Sequence, residues 1–335
     1  MEIKMEFSVP TLIYQVVLLF IMMVPGYLIK RLGLVDDGFA KGVSNLVLYI
    51  AQPALVVVSY VRAFNLDILI NSLWVFLFSI VAHALFCAVA ILVFKSAEDA
   101  KRRMLTFATI FSNAAFMGIP LVAKMNPDWA LYASIYNITF NLFLWSLGVN
   151  ICTKDRECEC VCGEGCEPLP APKMKGGSIK NAIIHPVFIA AVIGLTIFVT
   201  PASEWLTEGN LVFDSLKMLS NLVAPLSMTV IGIRMAGINF KGFFTDKLLY
   251  VFMLLRHIVL PLLVVGIMRL IALFAPISDE VIWVTAILAS TPAASSATMF
   301  AVKYDCDAEY VSKVVAASTI ISVGTMPLVM LIATL

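Results

Sequence analysis

The chain has 335 residues, 61% of them hydrophobic and 13% charged, with a net charge of +1 and a mean hydropathy of +0.96. Soluble globular domains carry about 45–50% apolar residues, so this composition excludes one and describes a polytopic membrane protein. A near-neutral charge and three histidines exclude the basic face that a nucleic-acid partner needs, and nothing points to an acidic partner.

Apolar stretches are predicted to span the membrane at residues 11–31, 41–61, 69–94, 103–124, 129–151, 183–202, 211–233, 248–272, 280–302 and 309–335. Each is long enough at ~1.5 Å per residue to cross a hydrocarbon core of ~30 Å. The first follows a mixed-charge segment, residues 1–7, rather than a basic region and cleavage site, so it reads as a retained helix and not a signal peptide. Lipid satisfies no backbone group, so all spans are expected to be helices with no sheet. Prolines punctuate them at Pro25, Pro53, Pro120, Pro225, Pro261, Pro292 and Pro327.

Lysine and arginine set the orientation. With the N-terminus outside, sixteen of them fall in inside loops, among them Lys30, Arg31, Arg102, Arg103, Lys154, Arg234 and Lys303. Four, Lys4, Arg62, Lys124 and Lys217, fall outside. That asymmetry predicts both termini outside and the central loop in the cytoplasm.

Three markers share one offset: Pro53 and Pro225, Arg62 and Arg234, and Pro120 and Pro292 are each 172 residues apart. The expected fold is therefore an all-α polytopic membrane protein of ten transmembrane helices in two inverted five-helix repeats, with helices 4 and 9 broken and crossing. The first repeat takes residues 1–151, a Cys/Pro-rich cytoplasmic loop 152–181, and the second repeat 182–335, together forming one integrated transmembrane domain. An odd number of spans per repeat inverts the second copy, as in secondary transporters whose solute sits at the midplane between discontinuous helices. The expected breaks are Gly118-Ile119-Pro120 in span four and Ser290-Thr291-Pro292-Ala293-Ala294-Ser295-Ser296 in span nine. The simpler reading of each is a proline kink between packed helices.

A broken helix presents unpaired N–H groups and a positive dipole end, which attract a carboxylate. Asn113, Thr291, Ser295 and Ser296 add neutral donors, and Asn137 and Asn141 share one face of the fifth span. Any of these polar residues alone also serves as a helix–helix hydrogen bond. No aspartate or glutamate falls well inside a span, so a cation site built on a buried carboxylate is not expected. His83, Arg256 and His257 are the embedded ionisable groups. Arg256 is a candidate for the anion path, or else pairs with backbone carbonyls, and the two histidines are candidates for proton linkage.

Five of the seven cysteines, counting Cys152, sit in the central segment, where Cys158, Cys160, Cys162 and Cys166 precede Pro168, Pro170 and Pro172. Thiolates suit zinc or an iron centre, but Cys-x-Cys-x-Cys-x3-Cys is not a standard spacing, and a flexible linker is the other reading. No cofactor is otherwise required. No His-Glu-x-x-His, P-loop lysine or Gly-x-Ser-x-Gly occurs, so the chain is not expected to be an enzyme.

Asn113 followed by Phe116-Met117-Gly118-Ile119-Pro120-Leu121 resembles the fourth-helix crossover of the auxin efflux carrier family, which includes plant auxin exporters and bacterial dicarboxylate permeases. Tyr49-Ile50-Ala51-Gln52-Pro53-Ala54-Leu55 resembles its second helix, and Pro292 through Tyr304, Ser318 to Ser322 and Met326-Pro327-Leu328 resemble its last two. The resemblance implies a scaffold of helices one, two, six and seven. The other six helices would form a transport unit with an elevator-like movement, and a homodimer would form through the scaffold. It also implies Asn113 as a binding asparagine, Pro120 and Pro292 as crossover prolines, Gly118 beside them, and Asn137 as a fifth-helix amide. The plant members' acid–lysine pair opening the third helix is not matched, since Asn71 stands four residues after Asp67.

These features together predict a permease or efflux carrier of the cytoplasmic membrane, multi-pass, moving a small organic anion such as a dicarboxylate by alternating access. The solute and the bilayer are its expected partners. The alternative is a receptor or sensor for a small carboxylate, with the Cys-rich loop as its cytoplasmic metal or redox element.

Overall fold

The computed structural model describes residues 8–153, 179–238, 245–304 and 306–334, which are helical throughout apart from short turns and one isolated antiparallel bridge. In chain order the main helices are α1 (Val9–Arg31), α2 (Gly38–Tyr60), α3 (Leu66–Val93), α4 (Asp99–Ile110), α5 (Ala114–Met125) and α6 (Pro127–Thr153). They continue as α7 (Pro186–Val199), α8 (Leu211–Ala236), α9 (Lys247–Ala272), α10 (Asp279–Ser290), α11 (Ser296–Lys303) and α12 (Ala308–Ala333). Seven of these, α1, α2, α3, α6, α8, α9 and α12, are long and apolar enough to cross a membrane. The chain is thus a multi-pass membrane protein. The short helix α7 has 14 residues, and the stretches predicted as spans four and nine are pairs of half-length helices, α4 with α5 and α10 with α11.

Polar caps mark where helices start. Ser8 Oγ accepts from Thr11 N, Asn65 Oδ1 from Asp67 N and Asp246 Oδ1 from Leu248 N, each satisfying an amide that the first turn leaves open.

The internal prolines do not all act alike. Pro53, Pro120 and Pro261 each follow directly on a π-helical turn, at Val47–Ala51, Ala114–Gly118 and Leu255–Val259. Proline has no N–H and its ring clashes with the carbonyl four residues earlier; the wider turn relieves that clash and keeps the helix continuous. The expected break at Gly118-Ile119-Pro120 is therefore corrected. The chain winds unbroken through it into Ile119–Met125, and the interruption lies earlier, at Phe111-Ser112-Asn113. In the second half the interruption runs from Thr291 to Ser295 and does contain Pro292.

Packing sorts the helices into two groups. In the first, α1 lies along α8, and α2 packs on both α7 and α8. At two glycines the α1–α8 contact is backbone to backbone. A Cβ on Gly26 would stand 2.1 Å from the Thr229 carbonyl oxygen, and one on Gly232 would stand 2.0 Å from that of Met23. Glycine there lets helices approach through dispersion contacts, which drive association where lipid removes the hydrophobic term. In the second group, α3 packs on α4, α6, α9 and α10, while α12 packs on α4, α9, α10 and α11. The groups meet where α1 touches α5 and α12, and where α6 touches α2 and α7. Exposed Ile13, Val17, Ile21, Val24 and Leu28 on α1, with Ile189, Val192 and Ile193 on α7, give the first group an apolar outer face suited to lipid.

Candidate functional site

The two interruptions cross. Asn113 N donates to Pro292 O at 2.7 Å and Ala294 N donates to Phe111 O at 2.8 Å, an antiparallel bridge centred on Ser112 and Ala293. A third donor, Ala293 N, is taken by Ser318 Oγ of α12 at 2.9 Å. Backbone groups freed by breaking two helices are thus re-satisfied by each other and by one hydroxyl, the condition for irregular backbone at membrane depth. At this point α4 and α10 end, and α5 and α11 begin.

A cavity of about 800 Å³ lies beside the crossing, between the two helix groups. It reaches from Gln52, Ser112 and Asn113 to Lys41, Gly237, Lys303 and Lys313 at one end of the bundle. Its lining carries four basic side chains, Lys41, Arg234, Lys303 and Lys313, against one acid, Glu309, whose carboxylate lies 2.6 Å from Lys313 Nζ. The balance is positive, and low-dielectric walls strengthen its pull on an anion. Arg234 also holds the break in place, since its Nη1 donates to Ser295 O at 2.7 Å.

Of the expected site residues, the structure brings Asn113, Asn141, Ser295 and Ser296 to the cavity wall. Asn113 is 1% exposed, and its Nδ2 has no hydrogen-bond partner among the described residues. Asn141 Nδ2 donates to the backbone carbonyl of Asn137 at 2.8 Å, while the Asn137 side-chain amide is buried in α6 away from the lining and has no hydrogen-bond partner among the described residues. Gly118 packs instead: a Cβ there would stand 2.7 Å from Leu288 Cδ2, so it serves the approach of α5 to α10. Pro120 is buried after its π turn. Thr291 and Pro292 contribute carbonyls to Arg256 and Asn113 rather than side chains to the cavity.

Arg256 does not face the cavity. It is 0% exposed, and its Nη1 and Nη2 donate to Ala289 O at 2.9 Å and Thr291 O at 2.8 Å, with the guanidinium 5.1 Å from the Phe86 ring centre. A charge at mid-membrane costs ~2.5–3.5 kcal/mol on the insertion scale, and two charge-assisted bonds return ~1.5–3 kcal/mol each. The negative end of α10 and the aromatic face add to this, so a backbone-capping role accounts for the residue. His257 lies behind the crossing, 2.8 Å from Ser318 Oγ and 3.2 Å from Thr325 Oγ1. His83 is 2.7 Å from Ser79 O and sits among Phe111, Tyr136, Phe140 and Phe143. Cys158, Cys160, Cys162 and Cys166 lie outside the described residues, and among the described residues no group of three His, Cys, Asp or Glu side chains could hold a metal ion.

Sequence reasoning missed Gln52, Arg234 and the lysines as lining. Gln52 was visible as an amide inside an apolar span, and Arg234 stood one residue beyond a predicted boundary.

Helices that end against each other inside an apolar bundle, beside a cavity with a positive lining, define a membrane transport protein. The chain matches the family of membrane transport proteins over residues 11–330 and belongs to it, the auxin efflux carrier family that its motifs resemble. It is also similar to an uncharacterized transporter of Methanothermobacter thermautotrophicus, 26% identical over 306 residues, covering 90% of this chain and 92% of that protein. The family is one of transporters rather than enzymes.

Proposed function

We propose that the protein is a secondary transporter of a small organic anion, working by alternating access. The observation that carries this reading is the pair of broken helices crossing at Ser112 and Ala293, with the starts of α5 and α11 beside a positively lined cavity. Both starts bring helix N-termini, favourable to a carboxylate, to one place.

In this reading the fold is ten spans in two inverted repeats. Corresponding elements support it: α3 and α9 start at Leu66 and Lys247, 181 residues apart, and α4 and α10 at Asp99 and Asp279, 180 apart. The crossing pairs Ser112 with Ala293, also 181 apart, so beyond the second helix the register is nine residues longer than the offset of 172 that joins Pro120 to Pro292. The group of α1, α2, α7 and α8 is the scaffold and dimer surface, and the remaining helices move against it. With the positive-inside orientation, both termini are outside and the cavity opens to the cytoplasm. The opposite end is closed by Arg62 Nη1 at 3.3 Å from Asp128, Ser59 Oγ at 3.2 Å from Ser134 Oγ, and the Trp129–Trp283 contact.

Reconstituted into liposomes, the protein is expected to give saturable uptake of labelled small carboxylates. Solute-independent current instead indicates a channel, and binding without flux a receptor; either result overturns the proposal.

A further inference from the structure

Gln52, on α2, lines the same cavity as Asn113 and is 1% exposed. Its Nε2 donates to Ala115 O at 2.8 Å. A carbonyl accepts only from a donor, so this bond fixes which end of the amide is nitrogen, and Oε1 faces away from Ala115. That oxygen is buried and has no hydrogen-bond partner among the described residues. On the same lining, Ser112 Oγ, Asn113 Nδ2, Trp145 Nε1, Ser295 Oγ and Ser296 Oγ are in the same condition. Buried polar atoms are almost always paired, with protein, water or ligand, so a cluster of six on one cavity lining points to a shared partner.

Their chemistry restricts that partner. Asn113 Nδ2 can only donate and the serine hydroxyls can donate, which suits a carboxylate. Gln52 Oε1 can only accept, and a bare carboxylate offers it nothing. The missing element is an O–H or N–H on the solute. An ammonium group would meet Lys41, Arg234, Lys303 and Lys313, with Glu309 already engaged by Lys313, so the donor must be neutral.

We infer that the cavity selects a hydroxycarboxylate, whose hydroxyl donates to Gln52 Oε1 while its carboxylate accepts from Asn113 and Ser295. This inference rests on the anion-transport reading above and adds a specificity-determining residue to it. A site built to pair a hydroxyl rejects the analogue that lacks it, because its own buried acceptor is then stranded.

The test is competition for uptake in proteoliposomes of the full chain, using pairs that differ by one hydroxyl: lactate against propionate, and malate against succinate. In the wild-type protein the hydroxy acid of a pair is expected to compete about tenfold or more strongly than its deoxy analogue. In Gln52→Met, which has no oxygen acceptor, that ratio is expected to fall to within about twofold through loss of hydroxy-acid affinity. Saturable carboxylate uptake with no preference in the wild-type protein overturns the inference and leaves the anion reading intact. Absence of saturable uptake for every carboxylate removes both. Should Gln52→Met fail to insert, the wild-type comparison decides alone.

Discussion

The backbone amide of Asn113 donates to the carbonyl oxygen of Pro292 across the crossing, at 2.7 Å. Two helices interrupted in the apolar interior thereby satisfy each other, and the Asn113 side chain is left free of structural duty. Its Nδ2 lies buried at the cavity wall with no partner among the described residues. Position and chemistry are separable at this residue, which makes it the sharpest point of test.

Asn113→Ala removes the amide and leaves both backbone bonds in place. Solute flux is expected to drop about tenfold or more, while membrane insertion and melting temperature stay at wild-type values. Flux assays in liposomes beside a thermal melt of the detergent-solubilised protein check both halves. Full activity removes Asn113 from the site.

Arg256→Gln is expected to behave in the opposite sense. It loses charge-assisted bonds to Ala289 O and Thr291 O, so stability falls by ~2–4 kcal/mol. Solute affinity of the folded fraction is expected to change less than about threefold, as the guanidinium does not line the cavity. An unchanged melting temperature with binding weakened by an order of magnitude would return Arg256 to the anion path.

His257 stands behind the crossing, 2.8 Å from Ser318 Oγ and 3.2 Å from Thr325 Oγ1, and Ser318 Oγ also accepts from Ala293 N. It does not line the cavity. Ser318→Ala, which strands Ala293 N, is expected to cost ~1–3 kcal/mol. His257→Gln is expected to leave the pH profile of transport between 5.5 and 8 unchanged. A profile that flattens in this variant assigns the proton linkage to His257.

Gly26→Ala and Gly232→Ala each drive a Cβ into a carbonyl oxygen, at 2.1 and 2.0 Å. Backbone must move, and the expected loss is ~2 kcal/mol or more, read as reduced folded yield and melting temperature. Gly266, on α9, has nothing within 4 Å of its Cβ position. Gly266→Ala is therefore expected to be neutral or to stabilise by up to ~1 kcal/mol.

The helices were legible because lipid leaves only two codes, apolar length and charged ends, and both are written plainly from residue 11 onward. The position of the first break was not. Proline is the visible helix breaker, yet Pro120 is absorbed by a π turn. The actual interruption falls on Phe111-Ser112-Asn113, three residues with no forbidding backbone chemistry, and it exists because the second interrupted segment of the same chain, at Pro292 and Ala294, supplies the missing bonds. A tertiary exchange of this kind has no local signature. Arg256 shows the same limit from the other side. Its charge marked it as functional, while the carbonyls it serves belong to a helix end more than thirty residues away. Asn113 and Ser295 were found because polar groups deep in an apolar run are costly wherever they point.

At Gly26 and Gly232 the contact between α1 and α8 is main chain against main chain, which holds those two helices in one register. For the elevator-like cycle proposed above, the expected slip plane is therefore the seam between the two helix groups. The side-chain ties across that seam include Gln52 to Ala115, Arg234 to Ser295, Ser59 to Ser134 and Arg62 to Asp128. Each is the work of a single residue pair and none is covalent. If the proposed cycle operates, these ties are the latches that must open, and Ser59 with Ser134 and Arg62 with Asp128, which lie off the cavity lining, are the pairs whose tuning is expected to change turnover without touching the solute.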